Sequence, residues 1–138
     1  MSQRIRDIMT SNPSTIEPDK PVAEAARIMK QEDAGVVPVT ENGVLTGMVT
    51  DRDITVRVVA EGKDPQSTTV REVASNDLVT VDPRQELDDA LRLMAQHKVR
   101  RLPVVEEDGR LVGVLAQADV AREGDDKQTG QVVQEISE

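Results

Sequence analysis

The apolar positions of this chain fall into short blocks whose spacing changes along a fixed order, and the whole order then returns once. A short amphipathic turn over Ile5–Met9 leads into an extended segment that stops at Pro18, where the proline ring disfavours helix in the residue before it. Val22, Ala25, Ala26, Ile28 and Met29 recur at helical spacing and predict an amphipathic helix. Two apolar runs follow, Val36–Val39 and Val44–Val49, divided by Glu41-Asn42-Gly43. Asn-Gly tolerates positive φ, so this break predicts a hairpin. A last helix is expected from Thr50 to about Ala60, with Gly62 as its stop.

The second passage repeats each step: a turn at Val70–Ala74, Pro83, a helical face of Leu87, Ala90, Leu91, Leu93 and Met94, then Leu102–Val105, Glu107-Asp108-Gly109 and Leu111–Leu115. A closing helix is expected from Ala116 to about Glu123. Sliding the chain against itself by 65 residues superposes Arg6 on Arg71, Pro18 on Pro83, Ala25 on Ala90, Met29 on Met94 and Pro38 on Pro103. One extra residue in the second hairpin moves the offset to 66, and Gly43 then meets Gly109, Gly47 meets Gly113 and Asp53 meets Asp119. So many identities with a single slip identify a duplicated unit. The repeats predict a motif over 1–62, a link over 63–69 with turn chemistry at Pro65 and Ser67, a second motif over 70–123, and a polar, acidic tail over 124–138 that should be mobile.

At 138 residues the chain holds one real core or two small ones fused together. Neither copy is large enough to stabilise itself well, so the two are expected to share an interface, sheets paired about a pseudo-twofold axis, with grooves between the copies as natural ligand sites. The expected class is α/β (α+β), two βαββα-type units.

Composition narrows the chemistry. Phe, Tyr and Trp are absent, which removes the ring faces that single-stranded nucleic acids and sugars stack on. A formal charge of -9 repels phosphate backbones, so no nucleic-acid partner is expected. Cysteine is absent too, excluding disulfides, thiolate nucleophiles and cysteine zinc sites. His97 is the single histidine; at the expected end of a helix it reads as a solvated C-terminal residue, and no metal site is expected. Without a paired nucleophile and base, a Walker-A sequence or a dinucleotide fingerprint, the chain is not expected to be an enzyme. Met9, Met29, Met48 and Met94 sit at apolar positions and read as core fillers. The start lacks an apolar signal region and no stretch approaches the ~18 apolar residues of a membrane span, so a cytoplasmic protein without membrane contact is expected.

One segment carries chemistry. Gly47-Met48-Val49-Thr50-Asp51-Arg52-Asp53 ends a strand and opens a helix, and such a junction presents free N–H groups. Thr50 followed by Asp53 fits a capping box with Asp in place of Glu or Gln. The same carboxylate offers two oxygens in one plane, suited to two adjacent ribose hydroxyls. The two roles can coexist.

Arg6-Asp7-Ile8-Met9-Thr10, Val36-Val37-Pro38-Val39 and the segment Gly43–Asp53, with their second-copy counterparts, resemble paired CBS motifs, the Bateman module. The resemblance spans residues 5 to about 122 and leaves no room for a catalytic domain, as in free-standing prokaryotic CBS-pair proteins. It implies a regulatory module with an adenine nucleotide (AMP, ADP or ATP) in clefts between the motifs, no required cofactor, a homodimer, and an unknown protein target. Carried over by residue, one site would join Thr50 and Asp53, with Met48 and Val49 as apolar wall, to Val79, Arg100 and Arg101. The other would join Asp119, with Val114 and Leu115, to Ser14, Thr15, Gly35 and Val36. Neighbouring strand residues point to opposite faces, so one of Arg100 and Arg101 is expected to meet a phosphate. Ala116 stands where the pattern has a hydroxyl, and the second site is expected to be the weaker. The alternative is a constitutive dimerisation or interaction module with empty clefts, or with S-adenosylmethionine or NAD.

Overall fold

The computed structural model describes residues 3–123, and the expected tail lies outside them. The chain divides into two units, residues 14–78 and residues 3–13 with 79–123.

In the 14–78 unit, helix α1 (Val22–Glu32) buries Val22, Ala25 and Met29. Its C-cap Asp33 adopts φ 51° and sends its N–H to the Met29 carbonyl, turning the chain into strand β2 (Val36–Glu41). Asn42 and Gly43 take φ values of 54° and 83°, the mirror-image turn that matches strand twist, and deliver strand β3 (Val44–Thr50) antiparallel to β2. The register pairs Val36 with Thr50 and Val37 with Val49, then shifts between Val39 and Thr40. The pre-proline segment touches the sheet by a single parallel bridge, Ile16 to Val39. Helix α2 (Asp51–Ile54) continues without a break into a π-helical turn over Thr55–Val59, where the Ala60 N–H reaches the Thr55 carbonyl at 2.9 Å. Of the predicted α1 face, Ala26 is exposed and Ile28 only half-buried; the stripe against the core is narrower than the pattern implied.

The other unit repeats the plan. Helix α4 (Leu87–His97) buries Leu87, Ala90, Leu91 and Met94, and Lys98 caps it at φ 55°. Strands β4 (Arg101–Val105) and β5 (Leu111–Ala116) pair antiparallel, with a register shift between Val104 and Val105, the counterparts of Val39 and Thr40. Val81 bridges Val104 in parallel, and helix α5 (Gln117–Glu123) follows β5 directly.

The compact units are out of phase with the sequence repeats. The N-terminal turn (Ile5–Asp7) and strand β1 (Thr10–Ser11) belong with the second hairpin: Ile5 sits in its core, and Thr10 and Ser11 pair with Val114 and Gly113 of β5. Conversely helix α3 (Val70–Val73) buries Val70 and Val73 among Val22, Val37 and Val49, and Ser75 bridges Met48 on the free edge of β3. The exchange is reciprocal bond for bond. Ile5 and Arg6 donate to the carbonyls of Gln85 and Pro83 at 2.9 and 3.0 Å, while Val70 and Arg71 donate to those of Lys20 and Pro18, both at 2.9 Å.

Each core is aliphatic, Ile16, Val22, Val37, Val39, Val49, Val58 and Val73 in one and Ile5, Val81, Leu91, Met94, Leu102 and Leu115 in the other. Among the described residues, no helix is long and apolar enough to cross a membrane.

Candidate functional site

Strand β3 delivers Thr50 to the start of α2 in an extended conformation, φ -114° and ψ 162°, which makes it the N-cap. Its hydroxyl accepts from the Asp53 N–H at 3.0 Å, and the Asp53 Oδ2 accepts from the Thr50 N–H at 2.9 Å. Both halves of the capping box are therefore formed. The other oxygen, Oδ1, lies 4.0 Å from Arg57 Nε one turn on, and Arg57 donates to the Val73 carbonyl at 3.2 Å. The junction is thus fastened to the exchanged helix α3 as well as to its own strand.

Two close approaches hold this geometry. The Asp51 N–H donates to the Gly35 carbonyl at 2.9 Å, and a Cβ on Gly35 would stand 3.1 Å from the Asp51 carboxylate. Behind the junction, a Cβ on Gly47 would stand 3.0 Å from the Ser75 carbonyl oxygen and 3.1 Å from the Asn76 side chain. Only glycine lets the exchanged strand lie this near β3.

The junction in the other unit is built alike but lacks one contact. The Ala116 N–H donates to Asp119 Oδ2 at 3.2 Å, and Ala116 has no hydroxyl to return the bond. The Gln117 N–H donates to the Arg100 carbonyl at 2.7 Å, the counterpart of Asp51 on Gly35. A Cβ on Gly113 would meet Met9 Sδ at 2.5 Å and the Thr10 carbonyl at 2.9 Å.

The sequence-predicted residues separate by unit. The 14–78 unit brings together Met48, Val49, Thr50 and Asp53 with Gly35 and Val36, Val36 standing opposite Thr50 across the ladder. Ser14 and Thr15 are exposed in the same unit, the Ser14 hydroxyl donating to the Glu32 carboxylate. The other unit holds Val79, Arg100, Arg101, Val114, Leu115 and Asp119, with Arg101 opposite Ala116. Arg100 and Arg101 are both exposed. Val49 and Leu115 are each 0% exposed and belong to the cores, so their side chains present no surface to a ligand. Met48 and Val114, one position earlier, point to the opposite faces of their strands.

The lead-in turns carry the charge pairs that the sequence did not reveal. Arg71 reaches Asp19 at 3.1 Å and Glu41 at 3.6 Å, tying α3 to the turn before α1 and to the hairpin. In the other unit the same tie is made from a different position, Arg84 to Asp82 at 2.8 Å and to Glu107 at 2.9 Å. The Arg84 guanidinium and backbone N–H hold the Asp82 carboxyl down at about 2, and Asp82 in turn lifts Arg84 above its ordinary value. Arg6 and Arg71 superpose in the repeat, but their partners do not, which is why no local signal marks these ties.

A depression of about 420 Å³ in the 14–78 unit lies at Thr15, Glu17, Lys20, Glu24 and Thr40, and neither Thr50 nor Asp53 lines it. No three His, Asp or Glu side chains gather at metal-binding spacing among the described residues.

The comparisons with known proteins agree with this geometry. A family model for the CBS domain matches residues 5–60 and again 70–126. The CBS domain-containing protein YhcV of Bacillus subtilis is 49% identical over 117 residues, 85% of this chain and 82% of that protein. The crystal structure of Hypoxic Response Protein I with two coordinated zinc ions superposes with a TM-score of 0.81 at 35% identity, covering 89% of this chain and all of that one. The structure of CBSX2 in complex with AMP gives a TM-score of 0.76 at 27% identity, covering 86% of this chain and 93% of that one. This chain belongs to the CBS-domain family, as a tandem pair of CBS motifs.

Proposed function

We propose that this protein is a regulatory module, not an enzyme, that binds an adenine nucleotide (AMP, ADP or ATP) and passes the binding on to a protein target as a change of conformation. The observation that carries the reading is the Thr50–Asp53 junction, whose two residues are already locked to each other at 2.9 and 3.0 Å. One lone pair of Asp53 Oδ2 serves the cap, and a carboxylate has about four such positions, leaving enough for two neighbouring ribose hydroxyls. Thr50, Asp53 and Met48 would hold the nucleoside, with Val79 and one of Arg100 and Arg101 completing the site toward the phosphate. A second, weaker site would use Asp119 and Val114 with Ser14, Thr15, Gly35 and Val36. The protein is proposed to work as a cytoplasmic homodimer. Signalling requires the ligand to bind two conformations with different affinity.

Titration calorimetry with AMP, ADP and ATP tests this directly. Saturable heat and a rise in unfolding temperature are expected; no response to any of the three sinks the reading.

The completed capping box favours one rival. If Asp53 serves the cap alone, the chain is a constitutive dimerisation or interaction module, or takes another adenosyl ligand such as S-adenosylmethionine or NAD. Asp53→Ala should abolish nucleotide stabilisation under the first reading and cost only about 1 kcal/mol of cap energy under the second.

A further inference from the structure

Among the described residues, one buried side-chain donor is without an acceptor: Nε2 of Gln117. Gln117 opens α5 and is the counterpart of Asp51 at the 66-residue offset. Its backbone N–H is fixed on the Arg100 carbonyl at 2.7 Å, so the side chain is rooted at the strand-to-helix junction and has little freedom to seek a partner elsewhere. Asp51 behaves differently, being exposed with its carboxylate lying over Gly35. Folded proteins seldom withdraw an amide donor from water without giving it an acceptor, because the desolvation is then uncompensated.

We propose that Gln117 is a ligand-contacting residue of the second motif, its amide donating to an acceptor oxygen or ring nitrogen of the adenosyl ligand at the β5–α5 junction. The inference rests on the proposed function and deepens it. Ala116 has lost the hydroxyl, and Gln117 supplies a donor one residue later. The second junction is then retuned toward an acceptor atom and is not merely a weakened copy. A neutral amide reads the position of that atom and not a phosphate charge.

Binding of AMP to the Asp53→Ala protein isolates the second site, and adding Gln117→Leu removes the amide at similar bulk. The expected result is an AMP affinity about tenfold weaker, the loss of one hydrogen bond to ligand. With no nucleotide present, Gln117→Leu alone should leave the unfolding temperature unchanged or raised, since an unsatisfied group has gone. Unchanged AMP affinity in the double variant, or no AMP binding to Asp53→Ala when the wild type binds it, overturns the inference and leaves the proposed function standing. A fall in ligand-free stability would give the amide a structural partner and also overturn it. No AMP binding by the wild type overturns both.

Discussion

Met48 and Ser75 exchange two backbone hydrogen bonds, at 3.0 and 2.8 Å, so a residue from beyond the inter-repeat link finishes the sheet of the first hairpin. The smallest piece that contains its own sheet and core is therefore residues 14–78 and not residues 1–62. Expressed separately, 14–78 should show cooperative thermal unfolding by circular dichroism, whereas 1–62 should not. It lacks Val70 and Val73, both fully buried. Equal behaviour of the two fragments would refute the assignment.

Glycine is required where the exchanged strands pass. Gly113→Ala puts a methyl group 2.9 Å from the Thr10 carbonyl, a backbone atom that cannot swing aside, and should cost about 1–3 kcal/mol. Gly62→Ala offers a control: φ is 68° and nothing lies within 4 Å, so only the left-handed conformation resists, at about 1–2 kcal/mol. Urea denaturation midpoints measure both, and the Gly113 variant should also weaken amide protection at Thr10 and Ser11.

Ala116→Thr restores the hydroxyl that Thr50 provides in the other copy. It should add up to about 1 kcal/mol of stability by completing the cap and strengthen binding at the second site. Thr50→Ala should do the reverse at the first site. Thermal denaturation with and without AMP separates the two effects, and a stabilised Ala116→Thr protein with unaltered nucleotide response would show that the hydroxyl only caps.

Asp82 sets an acid limb. Its carboxyl titrates at about 2, below the ordinary 3.8, because the charged form is held by Arg84. A depressed folded value means stability that is present above the unfolded value and is lost as pH falls from about 3.8 through about 2. Asp82→Asn should flatten that part of a stability–pH profile. The change should be modest and salt-sensitive, since the Arg84 side chain is 54% exposed.

What was legible in the sequence was local. Asn42-Gly43 announced its hairpin because positive φ is a property of the residues themselves, and Thr50 with Asp53 announced a helix start because both cap bonds span three residues. The exchange could not be read, for a reason the repeat itself supplies. Ile5 and Val70 are equivalent, as are Pro18 and Pro83, so neither pattern says which copy a lead-in turn joins. The burial of Val49 and Leu115 was misjudged by one position, because a continuous apolar run hides which side of the strand faces the core. The π-turn at Thr55–Val59 has no periodic signal in five residues.

The reciprocal exchange also orders the birth of the molecule on the ribosome. Residues 14–78 contain everything their sheet and core need, so this unit is complete in sequence soon after Leu78 emerges. The N-terminal thirteen residues, synthesised first, must wait for Leu111–Ala116 before strand β1 has a partner. The earliest part of the chain to leave the ribosome is thus among the last to fold, with the inner unit already formed between it and its destination.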